Sequence, residues 1–261
     1  MPEGDTLFRT AAGLRPYLVG RDVRAARAQG PGPVPQVHRV VGKRVDAVEA
    51  QGKNLLIRFD GGLEIRTHLR MNGSWHRYRP GERWRRPPGR ARLVLEVDGS
   101  VAVCFDAPVV ELFETRVESL HPALSRLGPD VLSPDFDAGE AHRRLRAPER
   151  QSMSISAALL DQRALAGIGN IWRNETLFAG RVDPFVPVAE IDDETLDRLI
   201  GTARRLLTQS AGVAPGRTPT KVYRRTGRPC PRCGTPIVSR PLSGEIPRTT
   251  YWCPSCQGGR R

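Results

Sequence analysis

Residues 54–59 read NLLIRF and residues 63–68 read LEIRTH, with Asp60-Gly61-Gly62 between them. Two short runs rich in apolar and β-branched side chains, split by a turn that glycine can close, predict a β-hairpin. The pattern returns at 92–105, where RLVLEV and SVAVCF flank Asp98-Gly99. Strand patterns of this kind dominate residues 40–113. Several short strands joined by tight turns point to a β-sandwich or small barrel. Residues 77–90, rich in Arg, Pro and Gly, are expected to form an exposed loop between the hairpins. Cys104, inside VAVCF, reads as core and not as a reactive thiol.

Working outward, residues 5–18 carry Leu7, Ala11, Leu14 and Leu18 on one stripe of an amphipathic helix, and Gly20 lies just past its end. On the other side, LGPDVLSPDFD at 127–137 reads as a linker. The period then becomes helical. Asp137 is placed to cap a helix to about residue 146, and ISAALLDQRAL at 155–165 supports another. The turn AGIGN leads into IWRNETLFAG, and Asp192 or Asp193 opens a last helix to about residue 207. QSAGVAPGRTPT at 209–220 is a second connector. The expected class is α+β multidomain: a β-rich domain at 1–126, a helical domain at 127–220 and a metal-binding finger at 221–261.

Apolar residues make up 39% of the 261, enough for packed cores and against wholesale disorder. The formal net charge of +13 favours a polyanionic partner, because each cation placed on a phosphate releases condensed counterions. A basic but otherwise ordinary protein is the competing reading. The charge is carried by arginine, since only Lys43, Lys53 and Lys221 are lysines. A lysine amine can be tuned by its site where a guanidinium cannot. No run approaches the 18 apolar residues of a membrane span, and MPEGDTLFRT lacks the basic and apolar regions of a secretory signal. A cytoplasmic location is expected.

The tail contains Cys230-x2-Cys233 and, nineteen residues on, Cys253-x2-Cys256. Two thiol pairs on tight turns can close a tetrahedron around one Zn²⁺, and four such ligands leave no open position, so the ion is structural. A redox CxxC needs only one pair within a βαβ pattern. Arg240, Arg248 and Tyr251 lie between the pairs; Arg240 reads as a solvated charge. The glycine-broken AGIGNIW supports two readings. One is a phosphate-binding turn ahead of a helix start, with the Asn170 amide as an added donor; the other is a simple αα-hairpin turn.

MPEGDT at the start, QGKNLLIRF, THLRMNGSW, LLDQRALAGIGNIWRNE, VYRR and the CxxC…CxxC tail together resemble the formamidopyrimidine-DNA glycosylase / endonuclease VIII family. The segments occur in that family's order and span nearly the whole chain. The PEG start and the GK strand lean toward the endonuclease VIII branch, and PEGDT toward its actinobacterial members. The resemblance implies an N-terminal β-sandwich with a leading helix, a helix–two-turn–helix domain and a zinc finger. It also implies a monomer that binds damaged duplex DNA, with single-stranded or bubble DNA as further substrates. By position, Pro2 would be the nucleophile once Met1 is removed, Glu3 the acid/base group near the sugar, and Lys53 a second base or proton donor. Arg248 would join the catalytic set as a phosphate ligand. Asn170 and His68 would hold phosphates, and Met71 would fill the gap left by a flipped base.

The chemistry explains these residue types. A free proline amine is secondary, and its attack at the sugar C1′ gives an iminium ion that acts as an electron sink. That ion acidifies the C2′ protons, so base loss is followed by elimination of the 3′ phosphate and then the 5′ phosphate. An α-amino group titrates at about 7.7–8.0, so a nearby base or field must free it at neutral pH. Taken singly, Glu3 is an ordinary helix-start carboxylate, Lys53 a surface lysine, Met71 core packing and His68 an exposed strand residue.

Several positions depart from the family pattern. Thr6 stands where relatives often carry a carboxylate, and DAPVVELF lacks the Arg and Phe of the purine-lesion branch. VYRR places Arg224 at a glycine position, and the finger is longer than usual. The expected activity is a bifunctional glycosylase / AP lyase that excises oxidised bases, pyrimidines preferred, with β,δ-elimination. The rivals are a purine-lesion (8-oxoguanine or formamidopyrimidine) glycosylase, a non-catalytic damage-binding protein on the same scaffold, and a zinc-ribbon DNA-binding module without repair function.

Overall fold

A computed structural model describes residues 2–31, 33–214, 219–242 and 248–258. The expected loss of Met1, part of the 209–220 connector and the tip of the finger hairpin lie outside them. The chain forms two compact units, Met1–Ser125 and Arg126–Arg261.

In the first unit, helix α1 (Gly4–Leu18) is followed by β1 (Val23–Ala28), β2 (Val45–Gln51), β3 (Asn54–Phe59), β4 (Leu63–His68), β5 (Ser74–Tyr78), β6 (Ala91–Val97), β7 (Ser100–Phe105) and β8 (Val109–Glu114). They form two four-stranded antiparallel sheets, ordered β1-β6-β7-β5 and β2-β3-β4-β8. This is the expected sandwich, and both quoted hairpins are present as β3–β4 and β6–β7. Their turns use left-handed glycines, with φ of 71° at Gly61 and 74° at Gly99, where a Cβ is strained. Alternate residues of both sheets, Leu55, Ile57, Leu93 and Leu95 among them, share one core with Leu7, Ala11, Leu14 and Leu18 of α1. Cys104 lies in that core, and burial pushes its thiol pKa up.

The Arg-rich segment is an exposed loop from residue 79 to 90, as expected, but it is anchored to the sheet. The other face of the β1-β6-β7-β5 sheet carries a second apolar cluster of Tyr78, Val94, Val103 and Phe105, and Trp84 from the loop packs onto it. An aromatic residue in an otherwise polar loop is what holds that loop to the sheet.

The second unit contains α2 (Ala138–Leu145), α3 (Ile155–Ala158), α4 (Asn170–Gly180), α5 (Asp193–Ala211), β9 (Val238–Leu242), β10 (Arg248–Trp252) and α6 (Pro254–Gln257). Asp137 and Asp192 cap α2 and α5, accepting the N–H of Glu140 at 2.8 Å and of Thr195 at 2.7 Å. Helix α5 runs four residues past the predicted end and stops at Gly212. Helix α3 is a single turn, where 155–165 was expected to be helical. Asp161 ends the helical run by accepting the N–H of Arg163 at 3.0 Å on its own side chain, a local bond that competes with the helix. Residues 127–137 are not a free linker either. Gly128 and Val131 donate to the carbonyls of Gln162 and Ala166, and Ala166 donates to Pro129. A Cβ at Gly128 would sit 2.5 Å from the Ala164 carbonyl, so the two strips fit only with glycine there. No helix among the described residues is long and apolar enough to cross a membrane.

Candidate functional site

In the first unit, Pro2 is half-buried and Glu3, the N-cap of α1, is 1% exposed. The Glu3 carbonyl accepts the N–H groups of Thr6 and Leu7, and its carboxylate stands at the start of α1 without a capping bond. Lys53 occupies the two-residue turn between β2 and β3, whose register closes at Gln51 and Asn54. Gly52 supplies φ of 58° there. The Asn54 amide donates to the Gln51 carbonyl at 3.0 Å, latching the turn that carries the lysine. Buried Arg66 donates through Nε to Asn54 Oδ1 at 2.9 Å and through Nη1 to Glu111 at 2.6 Å. Sequence reading missed Asn54 and Arg66; the available signal was a charged residue amid the apolar alternation of β4.

His68 ends β4 directly opposite Asn54. Burial, then the charges of Arg66, Arg70 and Lys53, lower its pKa to about 4, so the ring is neutral at physiological pH. Nδ1 accepts the Arg70 N–H at 3.2 Å, which leaves the proton on Nε2 as a donor. Beyond it the chain pinches. Gly73 donates to the Leu69 carbonyl at 2.9 Å, and a Cβ at Gly73 would come within 2.6 Å of that oxygen. Arg70 is forced to φ of 46°. The pinch presents Met71 55% exposed, which excludes the core-packing reading.

In the second unit, the glycine turn is held by Gln162, which donates to the carbonyls of Leu160 and Ile168 and accepts from Gly167, where φ is 96°. The turn delivers Asn170 to the start of α4. Its amide donates to the Thr249 carbonyl at 3.3 Å, and its oxygen accepts from Arg173 at 2.6 Å. That bond ties Asn170 to β10 one residue after Arg248, which starts the strand. Arg173, fully buried, also donates to the Thr249 carbonyl and the Thr250 hydroxyl. Asn174 accepts the Tyr251 N–H at 2.8 Å. Glu175 accepts three successive backbone N–H groups, from Lys221, Val222 and Tyr223, at 2.8–3.0 Å. Sequence reading found the segment but not these anchors. Arg240, read as a solvated charge, is exposed and also lies 3.4 Å over the Phe185 ring.

The β9–β10 hairpin and α6 bring Cys230, Cys233, Cys253 and Cys256 together, with all four Sγ atoms within 4.8 Å of one another. The Cys233–Cys253 and Cys233–Cys256 separations are 3.4 Å and the Cys230–Cys256 separation is 3.9 Å. A tetrahedral metal with bonds of about 2.3 Å sets ligand sulfurs about 3.8 Å apart, so the cluster fits a metal ion closely.

A β-sandwich, a helical unit with a glycine-started helix and a four-cysteine hairpin follow one another in this order, and comparison with known proteins says what class of protein is built this way. The model of the formamidopyrimidine-DNA glycosylase N-terminal domain matches residues 1–108, and that of its H2TH domain matches residues 127–222. The chain is 40% identical to the "Probable endonuclease 8 2" of Streptomyces coelicolor, covering 99% of this chain and 95% of that one. It is 38% identical to the "DNA-(apurinic or apyrimidinic site) lyase Nei2" of Mycolicibacterium smegmatis, covering 98% and 99%. The crystal structure of the MutM (Fpg) protein from Thermus thermophilus superposes with a TM-score of 0.83 at 30% identity over 100% of both chains. The chain belongs to the formamidopyrimidine-DNA glycosylase / endonuclease VIII family, the DNA-repair enzymes that combine glycosylase and AP lyase activities.

Proposed function

We propose that the protein excises oxidised bases, pyrimidines preferred, through a Schiff base on the Pro2 amine and then cleaves the abasic strand by β,δ-elimination. The observation that carries this reading is the N-terminus itself, where Pro2 is half-exposed at the head of α1 beside a buried Glu3. Once Met1 is removed, the secondary amine can attack C1′ and form the iminium; a retained Met1 would leave an inert amide. Glu3 serves as the acid/base group at the sugar, and Lys53 as the second base or proton donor. Neutral His68 donates from Nε2 to a phosphate, Asn170 and Arg248 hold phosphates, and exposed Met71 fills the space of the flipped base. The four-cysteine cluster holds one Zn²⁺, whose part is to fold the hairpin that carries Arg248. The three modules expected at 1–126, 127–220 and 221–261 divide this work, in a monomer acting on damaged duplex DNA in the cytoplasm.

The pyrimidine preference is supported by the β7–β8 connection. Only residues 106–108 join the strands, and Asp106 is tied to both Arg86 and Arg90. That turn has no length to reach an opposite base. The likeness to the Thermus protein favours purine lesions as the second reading.

Borohydride reduction on abasic duplex DNA is expected to give a covalent adduct that disappears in Pro2→Gly. No adduct with the processed protein overturns the reading and favours a non-catalytic binder. Excision of thymine glycol or dihydrouracil should exceed that of 8-oxoguanine in matched duplexes; the reverse order selects the purine reading. Lys53→Leu should lower base excision more than cleavage of preformed abasic sites, and equal loss of both removes the role given to Lys53.

A further inference from the structure

The segment between β5 and β6 carries Arg79, Arg83, Arg85, Arg86 and Arg90 but only one acid, Glu82. A run of charge is usually a solvated face, and here the fixed backbone argues otherwise. Glu82 and Arg79 exchange hydrogen bonds across a turn. Trp84 is half-buried, stacked on Tyr78 at 6.1 Å and edge-on to Phe105 at 5.8 Å. The Tyr78 hydroxyl accepts the Arg85 N–H at 3.1 Å. Farther on, Asp106 pairs with Arg86 and Arg90, and these bonds hold its carboxyl below the usual range. The loop is thus nailed down on both sides of Trp84.

Among the guanidiniums that the anchors leave over, those of Arg83 and Arg85 stand on either side of Trp84. Both are exposed, and neither pairs with a carboxylate among the described residues. They flank the Trp84 anchor and line an open groove of about 710 Å³ formed by residues 82–88. Arg86 Nη1 also donates to the Asn72 carbonyl at 3.4 Å, so the groove abuts the pinched loop that presents Met71.

We infer that this groove is a second DNA-backbone site, which takes the phosphodiesters flanking the position where Met71 enters. Two unpaired guanidiniums on a rigid loop match two phosphates, with little side-chain ordering beyond the guanidiniums themselves. No base-edge reading is involved, so the contact is independent of sequence. The site lies apart from the residues assigned to the chemistry, and it rests on the DNA-glycosylase reading only in its choice of polyanion.

The test uses the full chain, a duplex bearing a tetrahydrofuran abasic analogue, and affinity measured between 50 and 300 mM KCl. The double variant Arg83→Gln/Arg85→Gln should flatten the slope of log K against log [KCl] by about 1.8, roughly 0.9 for each phosphate lost. Affinity at the lowest salt should fall by about tenfold or more. The single-turnover rate of abasic-strand cleavage at saturating enzyme should stay at the wild-type value. The control Arg24→Gln/Arg27→Gln removes two charges from the β1 strand and should leave the slope nearly unchanged. A wild-type slope in the test variant overturns the inference, as does an equal change in the control, which would make the effect one of net charge. Failure of the functional reading looks different: the wild-type protein itself would neither bind this duplex in a salt-dependent way nor be trapped on abasic DNA.

Discussion

The β3–β4 hairpin and helix α4 are both largely buried and both deliver proposed functional residues, but they are buried by different chemistry. In the hairpin, Leu55, Leu56, Ile57, Phe59, Leu63 and Ile65 supply the burial, and Lys53 and His68 sit at its ends. In α4 the buried set includes Asn170, Arg173, Asn174 and Glu175, and these side chains bond the finger's backbone. The hairpin is an apolar platform whose functional groups can be changed without touching its core. In α4, positioning and stability reside in the same atoms. A substitution near Lys53 should therefore separate activity from folding, and one in α4 should not.

The largest effect should come from the metal. A structural zinc contributes about 10–16 kcal/mol to the folding of a small module, so chelation or Cys253→Ala should unfold the hairpin. The measurement is limited proteolysis with mass mapping. Rapid cleavage within residues 219–258, with residues 2–125 still protected, is the expected pattern. A finger that stays protected without metal would mean that the α4 bonds alone hold it, and the comparison would then favour polar anchoring over the ion.

Next in size is Glu175→Gln. The replacement loses the charge and turns an N–H toward the three backbone N–H groups that Glu175 now accepts. Bonds to a charged acceptor are worth about 1.5–3 kcal/mol each, and the net loss should be about 3 kcal/mol. Ile57→Ala should cost a similar amount, about 2–5 kcal/mol, through its cavity. The two should differ in place. Hydrogen exchange should speed up at residues 221–223 and in β10 for Glu175→Gln, and across the sandwich for Ile57→Ala. Matching exchange maps would erase the proposed distinction.

That contrast also explains what could be read from sequence. Alternation in NLLIRF and LEIRTH exposed the hairpins, and a period near 3.6 placed Leu7, Ala11, Leu14 and Leu18 on the buried stripe of α1. Cysteine spacing announced the metal cluster. Polar burial has no such period: WRNE in α4 reads as a mixed surface until its partners, at least 46 residues away, are known. The Trp84 anchor within its exposed loop and the pinning of 127–137 are not legible for a related reason, because Arg, Pro and Gly signal irregular backbone without saying whether it is tied down. Of the proposed site residues, Pro2, Glu3 and Lys53 were legible only as parts of a family pattern. The latch of Asn54 and Arg66 behind Lys53 was not legible at all.

The apolar unit also buries a carboxylate, and it supplies a pH test. Glu64 is fully buried, 3.6 Å from Arg58 Nη1, with Glu118 and Glu49 on the same arginine. Burial raises its pKa to about 7, against the pull of Arg58 and with the push of Glu118 and Glu49. The native state thus binds this proton more tightly than the unfolded chain does. The group's contribution to stability is full below about pH 4.5 and is lost as pH rises through 7. Glu64→Gln should leave stability nearly unchanged at pH 4.5 and raise it by about 3 kcal/mol at pH 8, read from urea midpoints. A pH-independent difference would mean that Glu64 stays ionised and is satisfied by Arg58, as Glu175 is by its backbone donors.

The smallest expected effect is at Arg224. Its φ of 57° places it in the left-handed region, at the position where the family pattern has glycine. A non-glycine residue there costs about 1–2 kcal/mol, and the guanidinium recovers part of that over the Tyr223 ring, 5.6 Å away. Arg224→Gly removes the strain but adds chain entropy to the unfolded state, so the net gain should be about 0.5 kcal/mol. The more telling measurement is the double variant. The three residues before Arg224 are those gripped by Glu175, so the grip holds the strained conformation in place. With Glu175→Gln present, the segment can relax by itself, and Arg224→Gly should then gain little or nothing. Additive effects would show that the strain at Arg224 is local and owes nothing to the polar face of α4.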